Sequence, residues 1–410
     1  MARALIQEAW RRNVWALALS VFVAFVGFQF SSPFMPLYVR ELGVTDPGGI
    51  ALWSGLIAAA TPAVSGVLGP FFGRLADRFG RKLMLIRSLA GFVVIIALMG
   101  LVRSVEQLFL ARVIQGLFAG FTPMAMALAS VAAPRDRVPY AISVVQSAQL
   151  LSVAVGPAAG GYVASHFGIR YAFFVTAGMC ALALLALILL FHEVSPAGPG
   201  TARAPAPRLP MRQALRYPNF LLVMVLLLVG QFIDRGLALL IPLHVAHMPD
   251  IGAEAAVSGT IISVAAVAAT GSANLAARLA QGVPSTRLLM WGLLAGGPLC
   301  AAMALAQGWP SLLVLRTLVG LCLGGAITLA YALGAEIVPA EHRGAAFGWL
   351  ALGVQVGTAA SPLAMGALAS LSLTGAYVFD GALACAAGGL LAFGWRRPGP
   401  RPAGTGPATG

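Results

Sequence analysis

Apolar residues run along this chain in long stretches, separated by short clusters rich in arginine, glycine and proline. About 20 mainly apolar residues suffice for a helix to cross the hydrocarbon core of a bilayer. Cutting at the loop signals predicts twelve such segments: 14–38, 50–72, 83–102, 106–132, 138–164, 170–191, 218–246, 255–276, 287–306, 310–338, 345–370 and 374–395. No part of the pattern calls for strands. The fold class expected is an all-α polytopic membrane protein with twelve transmembrane helices. Arg3, Arg11 and Arg12 precede the first segment in the manner of a signal peptide. Its apolar run is too long for one and ends in Ser31-Ser32-Pro33-Phe34 without a small-residue cleavage site, so it reads as a retained helix.

Composition agrees with that pattern. Of 410 residues, 59% are apolar and 10% charged, too few charges to cover a soluble protein of this size. The net charge of +13 would in a soluble chain suggest nucleic acid. Here the basic residues sit in short loops, where they act as a topology signal, and no nucleic-acid partner is expected. With the N-terminus inside, 20 of the 26 Lys and Arg residues face inward, against three (Arg40, Arg103, Arg170) in outward loops. That asymmetry puts both termini in the cytoplasm. Lys82 is the sole lysine and fits no phosphate-binding loop, which excludes a Walker-type ATPase in this chain. The four cysteines (Cys180, Cys300, Cys322, Cys385) lie in apolar segments without paired spacing and read as core residues.

One connection is long. Residues 193–217 contain in their first half Ser195-Pro196-Ala197-Gly198-Pro199-Gly200, a linker composition that cannot pack a core. The chain therefore divides into an N-terminal six-helix half (1–192), a cytoplasmic linker (193–217), a C-terminal half (218–397) and a disordered tail (398–410). An internal repeat supports the division. At an offset of 204, Leu108, Arg112, Gly116, Leu117 and Gly120 fall on Leu312, Arg316, Gly320, Leu321 and Gly324. An intramembrane arginine with two spaced glycines is hard to match by chance. Two six-helix halves related by an axis along the membrane normal make the architecture in which substrate sits at their interface.

Three motifs carry chemistry. Between the second and third segments stands Gly73-Arg74-Leu75-Ala76-Asp77-Arg78-Phe79-Gly80-Arg81-Lys82. Gly73 and Gly80 permit tight turns, Asp77 suits the positive end of a helix, and Arg78 and Arg81 can pair with acids across the seam between halves. In the fourth segment Arg112 and Gln115 share one helical face. An arginine at this depth persists only when paired or wetted. It reads either as a cavity-lining group for proton coupling or substrate positioning, or as a structural arginine satisfied by helix-end carbonyls. In the fifth, Gly156-Pro157-Ala158-Ala159-Gly160-Gly161 combines close-packing glycines with a kinking proline.

These three stretches resemble motifs A, B and C of the major facilitator superfamily, with Ser152 in place of the first glycine of motif C. Phe34-Met35-Pro36-Leu37-Tyr38 and Leu52-Trp53-Ser54-Gly55 are similar to the drug:proton antiporter-1 type, in particular its MdtG-like multidrug exporters. The diagnostic residues all lie in 34–161. The resemblance implies a transporter of the bacterial inner membrane, energised by the proton gradient with no other cofactor. It implies a motif A gate that breaks as the protein changes face, and a motif C seam that seals the outer side. Many relatives carry an acid in the first helix, where this chain offers only Gln29.

That departure moves attention to Asp234 in the seventh segment; Asp380 lies in the twelfth, a peripheral helix in this fold. Burial favours a neutral carboxyl and a nearby arginine the ionised one, a balance that suits proton loading and release. Asp234 could equally form a static bridge to an arginine. The proton-coupling residues expected are Asp234 and Arg112, and the substrate cavity residues Phe28, Gln29, Gln115, Phe118, Gln231 and Arg235. His244 and His247 lack a third ligand, so they read as interfacial and no metal is expected. No nucleophile–base constellation or dinucleotide fingerprint suggests an enzyme. The leading function is proton-coupled export of amphipathic or lipophilic small molecules by a monomer surrounded by lipid. The alternatives are export of one metabolite, such as a sugar or siderophore, and a receptor that kept the fold but lost transport.

Overall fold

The computed structural model describes residues 2–134, 137–192, 210–249, 251–339 and 342–395; the side chains of residues 2–9, 70, 73, 77, 343 and 344 lie outside that description. Most of the linker and the whole tail, including Arg203, Arg208, Arg396, Arg397 and Arg401, fall outside it as well. The first span comprises α1 (Ala2–Ser31) and α2 (Met35–Glu41), joined by a single 3-10 turn at Ser32–Phe34. It is followed by α3 (Pro47–Phe79), α4 (Arg81–Leu101), α5 (Val105–Leu117) with α6 (Phe121–Ala132), α7 (Val138–Phe167) and α8 (Ile169–Leu190). A short α9 (Met211–Ala214) precedes α10 (Phe220–Val245), α11 (Glu254–Leu279) and α12 (Ser285–Ala302). The chain then forms α13 (Trp309–Leu323) with α14 (Ala326–Ile337), α15 (Arg343–Leu371) and α16 (Leu373–Gly394). Among the described residues twelve spans are long and apolar enough to cross a membrane. Large apolar side chains such as Leu182, Leu189, Leu390 and Phe393 face outward, as lipid contact requires and water would not tolerate.

The fourth and tenth spans differ from the unbroken helices expected. Each is cut in two shortly after its intramembrane arginine. In the first half the cut falls at Gly120, whose φ of +105° is a left-handed conformation that costs glycine nothing. In the second it falls at Gly324 and Gly325, the positions the 204-residue offset predicts. Each break is wedged by an apolar knob from the same helix. Phe118 fills the space a side chain at Gly91 would need, and Leu323 does the same at Gly296. Both glycines lie in the third span of their half, so the internal symmetry extends to packing.

Buried apolar side chains form two clusters, one from α1–α8 and one from α10–α16. Each borrows one buried residue across the seam, Ala255 for the first and Ala51 for the second. The halves meet along two helix pairs, α7 with α11 and α3 with α15. Both pairs touch on the face away from the termini. There a methyl at Gly161 would strike Ala255, one at Gly259 the Pro157 carbonyl, and one at Gly55 the Pro362 carbonyl. Towards the termini the same helices part: Gly66 and Gly69 on α3, Gly271 on α11 and Gly348 on α15 have open space around them. The molecule is therefore closed on one face and open on the face that bears its ends.

Candidate functional site in the membrane interior

The first half holds a cavity of about 190 Å³ whose lining includes Phe28, Gln29, Thr61, Phe92, Arg112 and Gln115. The break after α5 leaves Arg112 and Gln115 on the last turns of a short helix that projects into it. Arg112 Nη1 donates to Gln115 Oε1 at 3.2 Å, and the Thr61 hydroxyl stands 2.9 Å from the Arg112 carbonyl and 3.2 Å from Gln115 Oε1. Arg112 Nε is buried without a partner among the described residues. The charge thus leans on an amide and a cavity rather than on helix-end carbonyls. A donor left unmade at this depth costs about 1–3 kcal/mol and is available to a ligand. Phe28 closes one wall, edge-on to Phe92 with centroids 5.2 Å apart.

The second half answers with an ion pair. Arg316, the repeat mate of Arg112, donates through Nη2 to Asp234 Oδ1 at 3.2 Å. The arginine side chain is 10% exposed and the aspartate 54%, so the carboxyl sits where solvent can reach it while its counter-charge does not. Both readings left open for Asp234 meet here: it is bridged to an arginine, and it is accessible. Gln231, one turn earlier on α10, is buried against α15 at Gly357. Arg235 is exposed and makes no contact with the Asp234–Arg316 pair.

Phe118 is not in the cavity lining; its ring packs on Gly91 and under the Arg87 guanidinium, 5.8 Å from the centroid. It is a structural knob at the helix break. Phe118→Ala is expected to destabilise the protein by about 2–3 kcal/mol, below the roughly 3–5 typical of a soluble core because lipid removes most of the transfer contribution. Transport of different substrates should fall in parallel, which competition assays across several compounds would check.

The motif C residues serve two neighbours at once. Gly156 and Gly160 bring α7 onto α1 at Gln29 and Phe30, while Gly161 brings it onto α11 of the other half. Pro157 lies inside α7, and the amide of Ala158 next to it donates to Ser263 Oγ of α11 at 2.9 Å. Two turns away along the pair of helices the bond is returned: Ala256 N on α11 donates to Ser165 Oγ on α7 at 3.0 Å. Arg40 adds an exposed ion pair to Glu254 at 2.6 Å. Neither serine carries a sequence signal beyond being polar in an apolar run. Ser263→Ala should leave the Ala158 amide short of its partner in the closed-seam state, costing about 1–3 kcal/mol, and favour the opened seam by roughly 5- to 100-fold. Labelling of a cysteine placed at the α7–α11 seam should quicken accordingly; an unchanged rate would remove the bond from the closure.

Motif A is corrected in part. Gly73 is no turn but lies inside α3, which runs on to Phe79; only Gly80, with φ of +93°, breaks the backbone. The helical pattern of the preceding span continues through the motif. Arg81 donates to the Ala127 carbonyl at 3.0 Å, Lys82 to the Phe191 carbonyl at 2.8 Å, and Arg78 stacks on Phe79. These contacts stay within the first half, as expected of a face where the halves have parted. The side chain of Asp77 lies outside the described residues.

Two further expectations change. Asp380 does not sit on a peripheral surface but is fully buried, because α16 packs along α12 and also reaches α10 and α15. His244 is likewise buried, with Nδ1 3.3 Å from the Tyr377 hydroxyl and Nε2 3.1 Å from the Ala306 carbonyl. Among the described residues no group of three metal-ligating side chains occurs.

The family model described as Major Facilitator Superfamily matches residues 17–306 and 245–410, most of the chain. The chain belongs to the major facilitator superfamily. It is a membrane transporter of that superfamily. "Multidrug resistance protein MdtG" of Salmonella dublin is 31% identical over 386 residues, 94% of either chain. The protein of the same name from Serratia proteamaculans is 33% identical over 88% of each. Among solved structures, a bacterial homolog of the human lysosomal transporter Spinster, inward-facing and unoccupied, superposes with a TM-score of 0.71 over 94% of this chain and 95% of that one at 17% identity. The human organic anion transporter MFSD10 gives 0.66 over 93% and 99% at 16% identity. At such identities these two establish the superfamily fold and nothing about substrate.

Proposed function

We propose that this superfamily member exports amphipathic or lipophilic small molecules across the bacterial inner membrane by proton antiport, with both termini cytoplasmic and the monomer as the working unit. The observation that carries the reading is the match to relatives named multidrug resistance proteins, which spans both halves and up to 94% of the chain. The site geometry supplies a mechanism. Substrate enters from the open, termini-bearing face and lies between the Arg112–Gln115 pair and the Asp234–Arg316 pair. Apolar walls such as Phe28 and Phe92 offer adaptable contact with little directional demand, which suits a broad range of lipophilic compounds. Closure on that face and parting of the α7–α11 and α3–α15 seams would then expose the same site to the other side.

Asp234 is the carboxyl that couples the proton to substrate. The carboxyl pairs with the buried Arg316 guanidinium yet stays open to solvent, so a proton and the guanidinium compete for the same oxygens. Protonation releases the guanidinium, and loss of the proton restores the pair. The test is proton flux in inverted vesicles challenged with unrelated lipophilic compounds. Several compounds that each dissipate the pH gradient support the reading. Dissipation by a single sugar or siderophore would replace it with single-metabolite export.

A further inference from the structure

Asp380 is the one acid buried among the described residues, and the mechanism above leaves it unused. It is 0% exposed, and neither carboxyl oxygen has a hydrogen-bond partner among the described residues. Oδ2 lies against Gly236 of α10, beside Ser361 and Met365 of α15. The Ser361 hydroxyl is already committed to the Phe232 carbonyl. An ionised carboxylate sealed in this way, with no donor, would cost several kcal/mol, whereas the neutral acid costs far less. The charged and titratable groups that face it are few. Arg316 of α13, Cys300 of α12 and Tyr377 of its own helix are within electrostatic range, and α15 presents none there. On α10 the nearby groups are Asp234, which binds Arg316, and His244, which binds Tyr377.

Two carboxyls therefore lie within the field of one guanidinium. Arg316 spends Nη2 on Asp234, and its Nε is buried without a partner. Arg316 is committed to the solvent-exposed Asp234, so the sealed Asp380, with no donor of its own, carries a proton. A cavity lies one helical turn from Asp380. Tyr377, one turn before Asp380 on α16, lines this cavity of about 560 Å³ together with His244, His247, Gln307 and Thr374. That cavity lies on the face away from the termini, and the Tyr377–His244 contact joins it to the interior.

We propose that Asp380 is a second proton-binding site, loaded from the far face through His244 and Tyr377 and coupled to Asp234 by the shared guanidinium of Arg316. The proposal rests on the antiport reading and adds the site that stores the proton. While Arg316 holds Asp234, a carboxylate oxygen of Asp380 holds a proton taken from water. When substrate occupies Asp234, Arg316 turns to Asp380; the O–H bond breaks and the proton leaves to water on the open face. Only a proton moves, and with a monovalent cation as substrate the charge of the triad plus substrate is the same as that of the triad alone before binding.

The experiment is infrared difference spectroscopy on purified protein in lipid nanodiscs, with proton release read in parallel. Wild type is expected to show a protonated-carboxyl band that Asp380→Asn removes and Asp234→Asn retains. A band indifferent to Asp380→Asn would overturn the proposal. On addition of tetraphenylphosphonium, wild type should release about one proton per cation bound, and Asp380→Asn should bind the cation and release none. Equal release from both proteins sinks Asp380 alone. Binding without release in wild type sinks the antiport reading itself and this coupling with it. Should Asp380→Asn fail to fold, Tyr377→Phe is expected to slow proton uptake several-fold without changing its amount, and an unaltered uptake rate would remove the route.

Discussion

Asp234→Asn is expected to abolish uphill, proton-driven efflux, a fall of more than about tenfold, while counterflow of a neutral substrate persists. The asymmetry follows from the ion pair. Asn cannot carry the exchangeable proton, but its amide oxygen can still accept from Arg316 at the 3.2 Å now spanned by the carboxylate, so the site keeps its shape. Counterflow exchanges substrate for substrate and requires no net proton movement. It should therefore separate loss of coupling from loss of the site. Paired measurements in reconstituted vesicles decide the matter. Uphill efflux at the wild-type rate would take the coupling away from Asp234 and leave Asp380 or Glu336 to carry it. Loss of counterflow as well would make the pair a structural bridge, because the variant leaves the buried Arg316 guanidinium without its counter-charge.

The second large effect is steric. Gly161→Leu should stop transport, by more than about tenfold, without preventing membrane insertion. A Cβ at Gly161 meets the Ala255 carbonyl and its neighbours on the backbone of α11, and backbone atoms cannot swing aside as side chains can. Overpacking of a fitted contact costs about 1–3 kcal/mol even where side chains can adjust. That cost falls only on the state in which α7 and α11 touch, so the population moves towards the opened seam. Gly178→Leu is the control: it makes the same change in α8, where nothing lies within 4 Å. Thiol labelling from the face away from the termini should quicken in the first variant and not in the second. Equal labelling with full transport would show that this seam need not close tightly.

The twelve spans and the repeat were legible in the residue pattern, because a bilayer imposes one requirement on every spanning segment. Each must satisfy its backbone hydrogen bonds internally and present an apolar surface over a fixed length. Arg112, Gln115, Phe28 and Gln29 could be gathered at one cavity from helix periodicity and motif position, both of which are local properties. Arg316 was recognisable as the mate of Arg112, but nothing along the chain showed that it would choose Asp234, 82 residues away. Pairing across helices depends on rotation and depth, which hydropathy does not encode. The same limit explains Phe118, which periodicity placed beside the cavity and packing turned onto Gly91.

What the sequence by itself determined is the class of the molecule: a twelve-span, two-half transporter whose charged residues are too few to be anything but signals or working parts. Tertiary structure alone decided which of those charges meet. Asp380 makes the distinction plain. Its place on the twelfth span suggested a peripheral residue, yet the close approach of α16 to α12 at Gly297 and Gly381, and of Asp380 to Gly236, buries it completely. The glycines that allow these approaches look alike in sequence whether they face lipid, as Gly178 does, or a neighbouring backbone. An apolar helix is compatible with many rotations, since lipid and protein interior are nearly equivalent surroundings for its side chains. Only the packing of all the helices together selects one.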